Sequence, residues 1–141
     1  MVSVSDKSNV TVSFTLKDIE ESLPTVEKMV LKLQVLDTAI EMLESVELEI
    51  DEENRGQVQY MIKFNKEFHK LCYKYYHLAE KLELKGVVVQ DIEEGIVDFP
   101  YIYRGKKVLL CWKMGEKKIG HWHEVDECYE GRRKIVNLDV C

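Results

Sequence analysis

The apolar positions of this chain fall into blocks with two different periods. From Pro24 onward Val26, Met29, Leu33, Leu36, Ile40 and Leu43 recur at alternating steps of three and four, the spacing of one helical face. Val46 and Ile50 prolong this seam irregularly, until Asp51-Glu52-Glu53 and then Asn54-Arg55-Gly56 mark a turn. A second run, Val58, Met61, Asn65, Phe68, Cys72, Tyr75, Ala79 and Leu82, keeps the same steps and ends at Gly86, a C-cap glycine. Two long helices joined by a short connection pack antiparallel, and Asn65 is expected in their seam, fixing register. A shorter helix over 16–23 is expected before them. Thr15-Leu16-Lys17-Asp18 has capping-box form, Phe14 is placed to staple onto Ile19, and Pro24, capped by Ser22, is expected to open a new helix. Tyr60, Phe64, Phe68, Tyr73, Tyr75 and Tyr76 spread apolar surface over more than one stripe of the second long helix, so a covering layer is required.

Past Gly86 the period changes to that of strands. Val87-Val88-Val89 is a short β-branched run, and Arg104-Gly105 and Gly115-Glu116 each fit a two-residue hairpin loop. Together they predict a three-stranded antiparallel meander with 106–113 in the middle. Loops that tight set the register. Tyr101 should face Val108 and Phe99 should face Leu110; across the second loop Trp112 should face Ile119, Leu110 His121, and Val108 His123. The face holding Phe99, Tyr101, Val108, Leu110, Trp112, Ile119, His121 and His123 is the more apolar and is expected on the helices. Ile102, Leu109 and Trp122 then fall on the outer face. The expected fold is α+β, a long antiparallel helical hairpin packed against a small three-stranded meander. It divides into a flexible lead (1–13), the hairpin (14–86) and the sheet unit (87–141), all within one structural domain.

Composition narrows the classes. With 141 residues, 45% of them apolar, and a mean hydropathy of −0.26, the chain has the makeup of a soluble globular protein. A net charge of −6 argues against a dedicated nucleic-acid binder, and no run of about 18 apolar residues predicts a membrane span. The first residues lack the form of a signal peptide, so the cytoplasm is the expected compartment. Four cysteines without a CxxC read as reduced thiols. A Cys128–Cys141 disulfide is expected only in a hyperthermophile, a source that the 33% charged content would suit.

The sharpest chemical signal is His121-Trp122-His123-Glu124. Two histidines two apart on a strand point the same way, and with Asp126, or Glu124 after a bend, they form a candidate site for zinc, iron or manganese. His69 could reach it from the second helix. The expected register, however, turns both imidazoles toward the core. Asp98, Glu124, Asp126, Arg132 and Arg133 form a second constellation, suited to acid–base work or to ion pairs that close a loop. Cys111, between Leu110 and Trp112, reads as a buried, inert thiol. Lysines 106, 107, 113, 117 and 118 near Tyr103 and Trp122 would suit a single-stranded nucleic acid, but residues 86–141 carry 9 basic against 10 acidic side chains. Outward-facing Ile102, Leu109 and Trp122 would mark a contact surface. The leading reading is a binding or assembly module acting through protein contacts, as a homo-oligomer or with a protein partner, rather than an enzyme. A metal-dependent enzyme or metal-binding protein centred on 122–126 is the alternative, and a nucleic-acid binder the third.

The ordered blocks G-I-V-D-F-P (Gly95–Pro100), G-x-x-V-x-L-C-W (Gly105–Trp112), Gly115-Glu116, W-H-E-x-D (Trp122–Asp126) and Gly131-Arg132 resemble a family of small archaeal and bacterial proteins. That family is catalogued as a domain of unknown function. Phe14-Thr15-Leu16 and Leu23-Pro24 are similar to its N-terminal pattern. The resemblance implies a helical hairpin with a small sheet and brings no activity or cofactor. It points to Asp98, His123, Glu124, Asp126 and Arg132 as site candidates. His121 stands where an aromatic residue is expected, and Cys128 where glycine is more usual.

Overall fold

The computed structural model describes residues 15–53 and 58–135. Helix α1 (Leu16–Glu53) starts at the expected capping box: the Thr15 hydroxyl accepts the Asp18 N–H at 3.0 Å, and the Asp18 carboxylate accepts the Thr15 N–H at 3.2 Å. It then runs unbroken through Pro24, so the separate short helix does not exist. An interior proline costs about 3 kcal/mol. Against that, Ile19, Leu23, Val26, Val30 and Leu33 are all buried on one stripe that only a continuous helix can hold together. Each such side chain contributes about 1.5–3 kcal/mol. Ser22 caps nothing; its hydroxyl donates to the Ile19 carbonyl at 2.8 Å.

Helix α2 (Val58–Leu84) pairs with α1 to form the hairpin. It closes as a Schellman motif, with Gly86 at φ 86°, its N–H on the Glu83 carbonyl, and the Val87 N–H on the Leu82 carbonyl. Met61, Phe68, Cys72, Tyr75, Ala79 and Leu82 are covered as expected, but Asn65 is exposed and its neighbour Phe64 is buried, so at that one step the seam passes through 64. The turn at 54–56, the Phe14 staple, the 1–13 lead, the Ile50 side chain and Cys141 lie outside the described residues.

Five strands follow, in spatial order β1 (Val88–Asp91), β2 (Ile96–Tyr103), β3 (Lys106–Lys113), β4 (His121–Glu124) and β5 (Arg133–Lys134), all antiparallel. The meander is therefore the centre of a sheet with a short strand added on each side. Arg104 (φ 51°) and Gly105 (φ 79°) make the two-residue turn, and Tyr101–Val108 and Phe99–Leu110 pair as expected.

The second hairpin differs. The turn forms one residue earlier than expected, with Met114-Gly115 at its centre and the Glu116 N–H on the Lys113 carbonyl at 3.0 Å, and pairing does not resume until His121. Glu116 is held in place by Trp112, whose indole N–H donates to its carbonyl at 2.8 Å, and by the Lys113 N–H on its carboxylate at 3.0 Å. The strands then join with Cys111 opposite His121, Leu110 opposite Trp122 and Leu109 opposite His123. That is one residue away from the expected register, and a slip of one turns every side chain of β4 over.

Trp122 therefore enters the core with Val97, Phe99, Val108, Leu110 and Trp112, against the α1 stripe and Leu82. His121 and His123 move to the opposite face of the sheet. Leu109 and Trp122 are buried, so of the expected outer patch only Ile102 is exposed. Gln34 of α1 ties the β1–β2 turn to the helix through the Ile92 carbonyl at 3.0 Å. The turn ends at Gly95 (φ 72°), where a Cβ would lie 2.7 Å from that of Met114.

The sheet covers only part of the hairpin. At 1.5 Å per residue α1 is about 57 Å long, whereas an eight-residue strand spans about 27 Å. No α1 side chain from 34 to 46 is fully buried, and in α2 only Phe64 and Leu82 are. The hairpin thus continues past the sheet as a two-helix arm. No described helix is long and apolar enough to cross a membrane.

Candidate functional site

Three neighbouring strands each send one chemically active side chain to the face turned away from the helices. They are Asp98 from β2, Cys111 from β3 and His123 from β4, and all three are completely buried. Asp98 and Cys111 are direct cross-strand partners; His123 pairs with Leu109 and so sits diagonally from Cys111. One donor atom from each lies within 4.8 Å of the other two.

Hydrogen bonds hold the cluster in place. His123 Nδ1 donates to the Glu124 carbonyl at 2.8 Å, which turns Nε2 toward Asp98 Oδ1, 3.1 Å away. Gln90 of β1 donates to the other Asp98 oxygen at 2.6 Å. Beside Cys111, the Arg132 guanidinium lies 3.8 Å from Sγ, pairs with Glu116 and stacks on the Tyr129 ring at 4.2 Å. Burial, with the Asp98 charge adding to it, pushes the Cys111 thiol up to about 12 despite Arg132. Both His123 nitrogens are already engaged, one by the Glu124 carbonyl and the other by Asp98.

His121 shares this face, opposite Cys111, but is only half-buried and stands outside the three-residue group. Its Nδ1 has no hydrogen-bond partner among the described residues. Burial and then the Arg132 charge push its pKa down, against the opposing pull of Glu116.

Of the candidates from sequence, Asp98 and His123 come together, and Arg132 approaches them through Cys111. Glu124 and Asp126 do not. Glu124 points to the opposite side of β4 and pairs with Lys106 at 2.7 Å and Arg133 at 3.6 Å; the Lys106 hydrogen bond holds its carboxyl low. Asp126 is exposed in the following turn, outside the three-residue group. His69 is exposed on α2. Arg133 spans Glu127 through two bonds of 2.9 and 3.1 Å and lies over the Trp122 ring at 4.7 Å. Of the basic, aromatic set, Trp122 is inside, Lys106 pairs with Glu124 and Lys113 with Glu94, while Lys107, Lys117 and Lys118 are exposed.

Sequence reasoning missed Cys111 and Gln90 as partners of the site. The signal for Cys111 was present, because the correctly placed β2–β3 hairpin already set it opposite Asp98.

No curated protein and no solved structure matches this chain. The family model DUF2203, described as an uncharacterized conserved protein, matches residues 13–135, nearly the whole length, and the chain belongs to that family.

Proposed function

We propose that this protein is an assembly module that dimerises through its helical arm. The observation that carries this reading is a second apolar stripe on each arm helix, separate from the seam between them. On α1 it comprises Leu31, Val35, Met42 and Val46, spaced 4, 7 and 4, with Val35 and Met42 more than 60% exposed. On α2 it comprises Val58, Ile62, Tyr73 and Tyr76, where Val58 and both tyrosines are about 70% exposed. A hairpin covers one stripe per helix; a four-helix bundle made from two hairpins covers both.

Charge supports a second copy as the occupant. Residues 35–53 of α1 carry eight acidic and no basic side chains, while 58–74 of α2 carry four lysines and one glutamate. Among the described side chains, which on α1 end at Val46, no ion pair joins the two helices of one chain. In a two-fold dimer the acidic helix of each chain meets the basic helix of the other, a self-complementary arrangement.

The test is sedimentation velocity at tens of micromolar on the wild type and on the Val35→Glu/Met42→Glu double variant. A dimer that becomes a folded monomer, with unchanged helical circular dichroism, supports the proposal. A monomeric wild type, or a variant dimer of unchanged affinity, overturns it.

A further inference from the structure

We infer that Asp98, Cys111 and His123 form a zinc-type metal site that ties β2, β3 and β4 together on the face opposite the helices. The inference does not depend on the arm.

The first step is hydrogen-bond accounting around His123. Its Nδ1 faces a carbonyl, which can only accept, so Nδ1 carries a proton. A neutral ring then aims the Nε2 lone pair at an Asp98 oxygen 3.1 Å away, placing two acceptors in contact where neither reaches water. A proton, on the ring or on the carboxyl, or a metal ion must stand between them.

Cys111 favours the metal. A proton on Nε2 serves Asp98 alone and gives the sulfur no part, yet Sγ completes the same cluster within 4.8 Å. Zinc bound at about 2.0–2.3 Å to nitrogen, oxygen and sulfur places tetrahedral ligand atoms about 3.3–3.8 Å apart. The 3.1 Å pair already approximates one edge, and no two of the ligand atoms are more than 4.8 Å apart. Thiolate, imidazole and carboxylate together select zinc over magnesium or calcium.

The surroundings are those of a ligand shell. An Nδ1–H on a backbone carbonyl is the usual way a ligating histidine is oriented, and Gln90 does the same for Asp98. Arg132 lies 3.8 Å from the sulfur and is itself held by Glu116. A divalent ion with one thiolate, one carboxylate and one neutral imidazole sums to zero charge, which suits complete burial. Three protein ligands leave one position for water. The two-histidine clamp along β4 is thereby replaced by a set drawn from three strands, with His123 the shared member.

The experiment uses untagged, full-length protein, stripped with a chelator and titrated with Co(II). The expected result is a thiolate-to-cobalt charge-transfer band in the near ultraviolet that saturates at one cobalt per chain and is displaced by zinc. Cys111→Ser should abolish it, whereas Cys72→Ser, Cys128→Ser and Cys141→Ser should leave it intact. Gln90→Ala, which removes only an orienting bond, should weaken cobalt binding about 10–100-fold while keeping the band. A folded wild-type chain that shows no band overturns the inference without recourse to any variant. A band that survives Cys111→Ser overturns it as well, because the ligand is then another cysteine.

Discussion

Glu116 shows how one side chain can hold a loop and report on it. Burial pushes its carboxyl upward, but hydrogen bonds from Arg132 and the Lys113 amide, with the Arg132 charge, prevail and hold it below the ordinary value. The sign follows directly. A folded-state value below the unfolded one gives stability that is fully present above about pH 4.5 and is lost as pH falls through the folded value. Glu116→Gln should therefore cost about 1 kcal/mol at neutral pH, a figure that allows for the partial exposure of the pair. It should also flatten the acid limb of the stability profile below about pH 4.5. Urea titrations of both proteins across that range check it; parallel curves would mean that the ion pair contributes nothing to folding.

At the scale of elements, the most informative departures are those where a local rule was outweighed. Pro24 should have ended a helix, and it did not, because the stripe from Ile19 to Leu33 is buried only if the helix continues. Its ring is exposed and its missing donor brings no compensating contact, so Pro24→Ala should restore one helical hydrogen bond and raise stability by about 1–3 kcal/mol. Chemical denaturation measures this directly; a loss of stability would mean that the proline sets a bend the core requires. The hairpin and the β2–β3 register were legible because steps of three and four, and a two-residue turn, each leave one solution. The β4 register was not, because nothing in Lys117-Lys118-Ile119-Gly120 announces that the chain spends four residues unpaired after the Gly115 turn. That single slip hid the site. It placed Trp122 outside and His123 inside, when Asp98 and Cys111 were already correctly paired on the face His123 joins. Asn65 illustrates a milder ambiguity: alternating steps fit a seam through either 64 or 65, and only the buried Phe64 decides between them.

Taken whole, the molecule joins a dense body to a thin arm, and the two should differ in stability. In the body, α1 up to Leu33, the end of α2 and the sheet share one core that includes Trp112 and Leu110, both fully buried. In the arm each helix has a single neighbour. Tyr75 marks the border: burial, then the nearby Asp37 charge, raises its phenol, placing α1 residue 37 across from α2 residue 75. Amide exchange should therefore divide into two classes, with β2 and β3 opening only at the global unfolding free energy and residues 35–46 and 58–73 opening below it. The proposed dimerisation through the arm adds a further requirement. A partner that binds the closed arm and not the open one protects it in proportion to protein concentration. Far above the dissociation constant, diluting the protein tenfold should speed exchange in the arm about threefold, since the free-monomer fraction varies with the square root of concentration. The β2–β3 hairpin should be less sensitive wherever its amides exchange by openings that leave the dimer intact. Hydrogen exchange read by mass spectrometry at two concentrations separates these outcomes. Arm peptides whose exchange ignores concentration, in a sample that sedimentation shows to be dimeric, would move the interface off the arm and onto the sheet.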